Sequence, residues 1–190
     1  MLRLARNSCN SHATDSATVL NRMADKIQGE PRPSGLPESD KEIFDQVSTY
    51  HATRCAASPI YAFLFIDRVR LVHASRGLVV FRLTLDDVHL NSAGGLHGSV
   101  SATIVDWAGG LAIAAWGSKR ESTGVSVDIN VTYLSIAQLG DEIEIEAKTE
   151  RVGGNLAFTS VGIWRVAKHG QGREDAVALG RHTKFVRGSK

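Results

Sequence analysis

One long apolar run constrains this chain more than any other stretch. Between Gly98 and Gly117 the only charged residue is Asp106, and small or aliphatic residues fill most of the rest. A helix that is apolar all round is buried. A lone carboxylate inside such a run is costly unless it is paired, hydrogen-bonded or used in chemistry. The run therefore predicts a slim, buried helix, starting near His97 or Gly98, in which Asp106 is the residue to explain.

The run is also nearly long enough to cross a bilayer. It contains Ser99, Ser101 and Thr103 in addition to Asp106, and these polar groups make insertion unfavourable. We therefore expect the core helix of a soluble protein rather than a membrane span.

Most of the remaining folded chain has strand patterns. Residues 125–133 alternate apolar and polar side chains with a period of two, as a half-buried strand does. Residues 60–73 and 77–85 predict a first hairpin, and the segments 142–147, 156–166 and 176–186 predict further strands. A helix precedes them, from Ser39 or Asp40 to a point before Pro59. The predicted class is α+β, with a curved antiparallel sheet of about six strands wrapped around the long helix.

Composition excludes several kinds of function. The formal net charge of +2 gives no strong field for nucleic acid or membrane lipid. Cys9 and Cys55 have neither CxxC spacing nor a histidine cluster, so we expect no metal site and a reducing compartment.

The first 40 residues differ from the rest. Residues 29–40 hold three of the four prolines and predict a linker. Residues 1–14 contain Arg3 and Arg6 without an acid, a composition typical of a mitochondrial presequence and equally of a disordered leader. We predict a flexible leader over 1–40, with a targeting role left open, and a folded domain over 41–190. The expected location is mitochondrial or cytoplasmic.

Several ordered motifs resemble one family. They are Asn91-x-x-Gly-x-x-His97-Gly98 with Asp106 nine residues after the histidine, Gly124-Val-Ser-Val-Asp-Ile-Asn130, Tyr133-Leu-Ser135, Leu156-Ala-Phe-Thr-Ser-Val161 and Gly180-Arg-His-Thr-Lys184. Together they resemble the hotdog-fold acyl-CoA thioesterases, and most closely the thioesterase superfamily member 2 branch. That branch, also called acyl-CoA thioesterase 13, is related to the phenylacetate-pathway thioesterases. The likeness covers roughly residues 60–186, and Ser99 stands where the family has a second glycine.

The resemblance implies a hotdog fold, a homodimer that assembles to a homotetramer, and active sites at the dimer interface. It implies hydrolysis of medium- to long-chain fatty acyl-CoA, with coenzyme A as part of the substrate and no separate cofactor. Asp106 would be the base or nucleophile, the Gly98 N–H would polarise the thioester carbonyl, and Ser126 would hold the water. Asn91 and His97 would shape the site. Coenzyme A would lie along two segments and one strand residue: Tyr133, Leu134, Ser135, Ile136, Ala137 and Gln138; Arg151, Val152, Gly153, Gly154, Asn155 and Leu156; and Asp128.

The residues alone offer the same chemistry. Thioester hydrolysis needs a base and a donor where charge develops on the carbonyl oxygen. Gly98 at a helix start supplies an N–H without an intrahelical partner. Eight residues of helix separate Gly98 from Asp106 by about 12 Å, too far to reach one carbonyl. We therefore expect Gly98 of one chain to act with Asp106 of another.

Other interpretations stay open at this stage. Asp106 could be a structural carboxylate paired with Arg or His, His97 a residue that only orders its loop, and Asn91 a turn former. Ser126, Asp128 and Asn130 are expected on one polar strand face where a ligand could lie. The competing functions are a non-catalytic acyl-CoA-binding protein, an aryl-CoA thioesterase and a hotdog dehydratase or hydratase acting on the acyl β-carbon.

Overall fold

The structure is a computed structural model that describes residues 40–117, 123–168 and 172–186. Residues 1–39, which make up nearly all of the predicted leader, lie outside the described residues. The described helices are α1 (Asp40–Ala57), α2 (Pro59–Phe65) and α3 (Gly98–Ala115). The strands are β1 (Val69–Ser75), β2 (Leu78–Thr84), β3 (Val125–Tyr133), β4 (Glu142–Val152), β5 (Leu156–Val166) and β6 (Arg173–Phe185).

The six strands form one antiparallel sheet in the order β1-β2-β4-β5-β6-β3. Helix α3 packs against the concave face that the sheet wraps around it, contacting five of the strands. Thirteen of its residues are buried. The predicted α+β architecture with a central helix is confirmed.

Helix α3 is the one helix in the described ranges that is long and apolar enough to be considered a membrane span. Its mean hydropathy is 1.2, and 72% of it is buried against the rest of the fold. The core of the sheet therefore accounts for its apolar character, as the sequence predicted.

The predicted strand over residues 60–73 was wrong in its first half. Residues Pro59–Phe65 form helix α2, and the strand begins only at Val69. Pro59 occupies the first helical turn, where its missing N–H costs nothing. Burial of Leu64 and Phe65 against the core then outweighs the strand preference of this aromatic-rich segment.

Close packing of α3 on the sheet depends on small residues at the contact. A Cβ added to Gly180 of β6 would collide with Val105, and one added to Gly109 would lie 2.8 Å from Oγ1 of Thr159. These glycines let the helix approach β5 and β6 closely. As a result Asp106, which follows Val105, lies beside the end of β6.

Candidate active site

Asp106 lies where four elements meet. On Oδ2 it accepts a hydrogen bond of 2.7 Å from the Tyr61 hydroxyl of α2. On Oδ1 it accepts one of 3.1 Å from Nζ of Lys184 on β6, and Ser126 Oγ of β3 lies 3.4 Å from the same oxygen. The sequence left open a pairing of Asp106 with Arg or His. In the structure, Asp106 pairs with the lysine Lys184 in place of an Arg, and the side chain of Lys184 is only 8% exposed.

These partners keep Asp106 ionised. Burial by itself raises the pKa of this carboxyl, but the hydrogen bond from Tyr61 and the charge and hydrogen bond of Lys184 outweigh burial. The pKa of Asp106 therefore lies below its ordinary value, and the group is a carboxylate at neutral pH. An ionised carboxylate is the form that both a base and a nucleophile require.

His182 completes the cluster from β6. Its Nε2 lies 2.9 Å from Ser126 Oγ, and its Nδ1 lies 3.6 Å from Asp106 Oδ1. Burial, and then the charge of Lys184, lower the pKa of His182 to about 4, so the ring is neutral at pH 7. A neutral ring orients the Ser126 hydroxyl without adding a second positive charge beside Lys184.

A cavity of about 430 Å³ opens beside this cluster and is called the Asp106 cavity. Asp106, Lys184 and Ser126 line one part of it. The remainder comes mainly from α1, α2 and α3 and includes Tyr50, His51, Arg54, Tyr61, Trp107 and Leu111. A cavity of this size, with a few polar groups at one end, is typical of a small-molecule site.

A second cavity, of about 340 Å³, lies at the start of α3 and is called the Gly98 cavity. It is lined by Asn91 and Gly98 together with Tyr133, Ser135, Ile136 and Gln138. Gly98 is the first residue of α3, so its N–H has no acceptor within the helix. The structure thus brings Asn91 and Gly98 together with most of the predicted coenzyme A segment Tyr133–Gln138. They line a different cavity from the one that Asp106 lines.

His97 and Asn91 shape this second cavity by ordering the backbone. His97 is the N-cap of α3, and its Nδ1 accepts a hydrogen bond from the Ser99 N–H at 3.1 Å. Oδ1 of Asn91 accepts from the N–H groups of Ala93 and Gly95, at 2.9 and 3.2 Å. Both contacts match the loop-ordering interpretations left open by the sequence.

Two predicted ligand contacts are placed differently by the structure. A β-bulge at Val127 pairs Ser126 with Lys184 but Asp128 with Thr183, so the two side chains point to opposite faces of the sheet. The predicted shared face for Ser126, Asp128 and Asn130 was therefore wrong, and Asp128 faces away from Asp106. Ala137 is fully buried in the core, although its neighbours in the segment Tyr133–Gln138 line the Gly98 cavity.

The hairpin turn predicted at residues 153–155 is confirmed, and it lies far from the segment that follows β3. Leu156 pairs with Phe185, and the N–H of Val186 donates to Asn155. These contacts put Arg151–Leu156 near the Val125 end of β3, whereas Tyr133 is its other end. Eight residues of strand span about 26 Å, so the two predicted coenzyme A segments of one chain lie far apart.

Sequence reasoning missed Tyr61 and did not assign roles to His182 and Lys184. His182 and Lys184 alternate on β6 and so share a face, a signal that the motif Gly180–Lys184 contained. Tyr61 was assigned to a strand, and only its true place on α2 brings it to Asp106.

The fold and this acid cluster define a class of protein. Residues 93–170 match the family model described as the thioesterase superfamily. The chain belongs to the thioesterase superfamily, and it is a thioester hydrolase with a hotdog fold.

The relatives narrow the class further. Acyl-coenzyme A thioesterase 13 of Homo sapiens is 40% identical over 121 residues, which cover 64% of this chain and 81% of the human protein. The crystal structure of zebra fish thioesterase superfamily member 2 has a TM-score of 0.64 and 34% identity, covering 75% of this chain and 96% of that chain. Thioesterase superfamily member 2 from Mus musculus has a TM-score of 0.58 and 29% identity, covering 79% and 98%. The resemblance stated from the motifs is confirmed.

Proposed function

We propose that this chain hydrolyses acyl-CoA to a free acid and coenzyme A, with Asp106 as the general base. The observation that carries the proposal is an ionised carboxylate held by Tyr61 and Lys184 in the wall of a cavity. The likeness to acyl-coenzyme A thioesterase 13 supports acyl-CoA as the substrate. Asp106 takes a proton from water while the water oxygen attacks the thioester carbonyl, and the thiolate of coenzyme A leaves.

The way in which the carboxylate is held leaves room for a base. Donors already occupy positions on both oxygens of Asp106. A carboxylate has about four lone-pair sites, so a site remains at which Asp106 can accept a hydrogen bond from the attacking water. A base mechanism predicts no burst of free thiol and no acyl-enzyme trapped by hydroxylamine. A burst equal to the enzyme concentration would establish the nucleophile instead.

The complete site is proposed to form between two chains. Strand β3 is an edge of the sheet and exposes Val125, Val127 and Ile129, at 72%, 59% and 38%. An exposed apolar edge strand is a template for pairing with another copy. Antiparallel pairing about a two-fold axis sets the Val125 end of one β3 beside the Tyr133 end of the other. The Asp106 cavity of one chain then adjoins the Gly98 cavity of its partner.

The same pairing unites the two segments proposed to bind coenzyme A. Arg151–Leu156 lies at the Val125 end of β3 and Tyr133–Gln138 at the opposite end. Across the two-fold axis, each segment therefore approaches the other segment of the partner. The Gly98 N–H then lies where negative charge grows on the carbonyl oxygen, and Ser126 orients the water.

A homotetramer is the proposed assembly. Apolar side chains on the face of the sheet opposite α3 remain 36–45% exposed in one chain: Leu156, Phe158, Leu179 and Phe185. Two dimers that pack through this face would cover them. Light scattering after size-exclusion chromatography measures the assembly, and a stable monomer would contradict both interfaces.

The Asp106 cavity is proposed to hold the acyl group. Medium- to long-chain fatty acyl groups are the first candidates. Aryl groups are the second, because three aromatic side chains, Tyr50, Tyr61 and Trp107, line the cavity. A panel of acyl-CoAs from short to long, with phenylacetyl-CoA, measures kcat/KM for each. A maximum at the aryl substrate would favour the second candidate.

Asp106→Asn tests the function directly. The amide keeps the shape but removes the base, so turnover should fall by about two orders of magnitude or more. Asp128→Asn is the matched control, since Asp128 faces away from the site and should change turnover less than about twofold. Unchanged hydrolysis in folded Asp106→Asn protein would overturn the mechanism.

A further inference from the structure

Tyr61 contacts the oxygen of Asp106 that lies away from Lys184 and Ser126. Its hydroxyl donates to Oδ2 of Asp106 at 2.7 Å, the shortest hydrogen bond to this carboxylate among the described residues. Within the same part of the chain, the other side-chain donors, Lys184 and Ser126, both lie on the Oδ1 side. Tyr61 thus holds the second oxygen.

The ring of Tyr61 is held in place by core aromatic residues. Its centroid lies 6.2 Å from that of Phe65, one turn later in α2, and the Phe65 centroid lies 4.5 Å from that of Trp107. Phe65 is fully buried and Trp107 follows Asp106 in α3. The stack therefore links α2 to the helix that carries the carboxylate, so the direction of the hydroxyl is set by packing.

The phenol remains a donor over the working pH range. Burial, and then the hydrogen bond to Asp106, raise the pKa of Tyr61 well above its ordinary value. A group that stays protonated does not exchange protons with the substrate. Its effect on the reaction is therefore exerted through Asp106.

We propose that Tyr61 is a positioning residue for Asp106, holding Oδ2 so that the carboxylate keeps one fixed orientation towards the attacking water. The proposal rests on the proposed role of Asp106 as the base. Lys184 and Ser126 hold Oδ1, so the lone-pair site that stays free for the water lies on Oδ2, beside the Tyr61 hydroxyl. By stabilising the charged form, Tyr61 also keeps Asp106 ionised to lower pH.

Other groups also face Asp106 and affect its titration. They are His182 and Lys184 from β6 and Ser126 from β3, while His51 and Arg54 of α1 line the same cavity. Among the described residues, the acceptor of the Tyr61 hydroxyl is Asp106. A shift of the acid limb that occurs only when the Tyr61 hydroxyl is changed therefore reports on the pKa of Asp106.

The test is the pH profile of kcat/KM in Tyr61→Phe. Loss of a donor to the charged form raises the pKa of Asp106, so the acid limb should move up by about one pH unit. On the plateau, kcat should fall about tenfold with KM changed less than about twofold, because the lost bond is to the base and not to the substrate. An acid limb at the wild-type pH in Tyr61→Phe would overturn the proposal.

Two further variants of this protein serve as controls for the Tyr61→Phe test. Tyr50→Phe removes a hydroxyl from the same cavity without touching Asp106, so its acid limb should stay at the wild-type pH whatever happens to KM. Replacing Tyr61 by 3,5-difluorotyrosine keeps the ring and strengthens the donor, so its acid limb should move to lower pH even if Tyr61→Phe folds poorly. A limb that moves equally in Tyr50→Phe, or not at all with difluorotyrosine, would contradict a specific role of Tyr61.

Failure of this inference is distinguishable from failure of the proposed function. If Asp106→Asn is inactive and Tyr61→Phe has a wild-type profile, only the positioning role is lost. If Asp106→Asn keeps full activity, the base assignment itself is wrong.

Discussion

Helix α3 presents opposite kinds of chemistry at its middle and at its start. Around Asp106, half-way along the helix, side chains from α2, β3 and β6 converge on one carboxylate and keep it ionised. Around Gly98, at the helix start, the wall is built largely from a loop, the first turn of the helix and the segment after β3, and the described residues that line it include no carboxylate. The Asp106 region offers a base, and the Gly98 region offers a backbone N–H.

This difference is the reason for the proposal that two chains complete one site. A rigid helix keeps Gly98 and Asp106 about 12 Å apart along its axis, and no side-chain motion shortens that distance. In the proposed dimer, a partner related by two-fold symmetry lies against the exposed β3 edge and brings its own Gly98 region to Asp106. The following variants test this division between the two regions.

Complementation gives the largest expected effect. Asp106→Asn removes the base, and Gly98→Ala keeps the backbone N–H but puts a methyl group where the thioester carbonyl must approach it, so each variant should lose about two orders of magnitude in activity. A Cβ at Gly98 would lie 3.4 Å from the Tyr133 ring, an ordinary contact, so the alanine variant should fold. Random mixing makes half of the dimers hybrid, and each hybrid has one intact site of two, so activity should recover to about a quarter of wild type.

Verified hybrid dimers that remain inactive would contradict the shared site. The control is each variant unfolded and refolded alone, which should recover no activity. The rate of thiol release is measured before and after the Asp106→Asn and Gly98→Ala chains are mixed.

Lys184→Met should give the next largest effect, in the Asp106 region alone. It removes the charge-assisted hydrogen bond to Oδ1, worth about 1.5–3 kcal/mol, so kcat should fall about 10- to 100-fold. Lys148→Met is the matched control, because Lys148 is an exposed lysine paired with Glu150. Equal losses in both variants would show a general effect of charge rather than a specific contact.

Asn91→Ala should have the smallest effect, in the Gly98 region. Two backbone N–H groups lose their acceptor, which should lower the free energy of unfolding by about 1 kcal/mol and kcat/KM a few-fold. Thermal unfolding and steady-state kinetics measure the two quantities. Asn130→Ala, an exposed substitution on the face of the sheet opposite α3, should change neither quantity. A loss of activity in Asn91→Ala larger than that in Lys184→Met would reverse the ranking of the two regions.

The sequence predicted most of the fold because its patterns are local. The apolar run predicted α3 and its first residue, and the period-two alternation predicted β3. It failed at α2, where aromatic residues typical of strands form a helix because Leu64 and Phe65 fit the core. It also failed at Asp128, because one extra residue at the Val127 bulge reverses every following side chain.

For the candidate site, the motifs identified Asp106, Gly98 and Ser126, but not what holds Asp106. The contacts from Tyr61 and Lys184 join residues 45 and 78 positions away along the chain. No periodicity in the sequence encodes such a pairing, because it depends on how α2 and β6 pack around α3.

By itself, the sequence determined that a single acid lies in a buried helix and that a glycine opens that helix. Hydrophobic patterning and residue type suffice for both conclusions, since burial and backbone chemistry are properties of the local chain. Only the tertiary structure decided that the acid is ionised, which partners hold each of its oxygens, and that Gly98 lies in a separate cavity. Those facts depend on distances between elements remote in sequence, which packing alone sets.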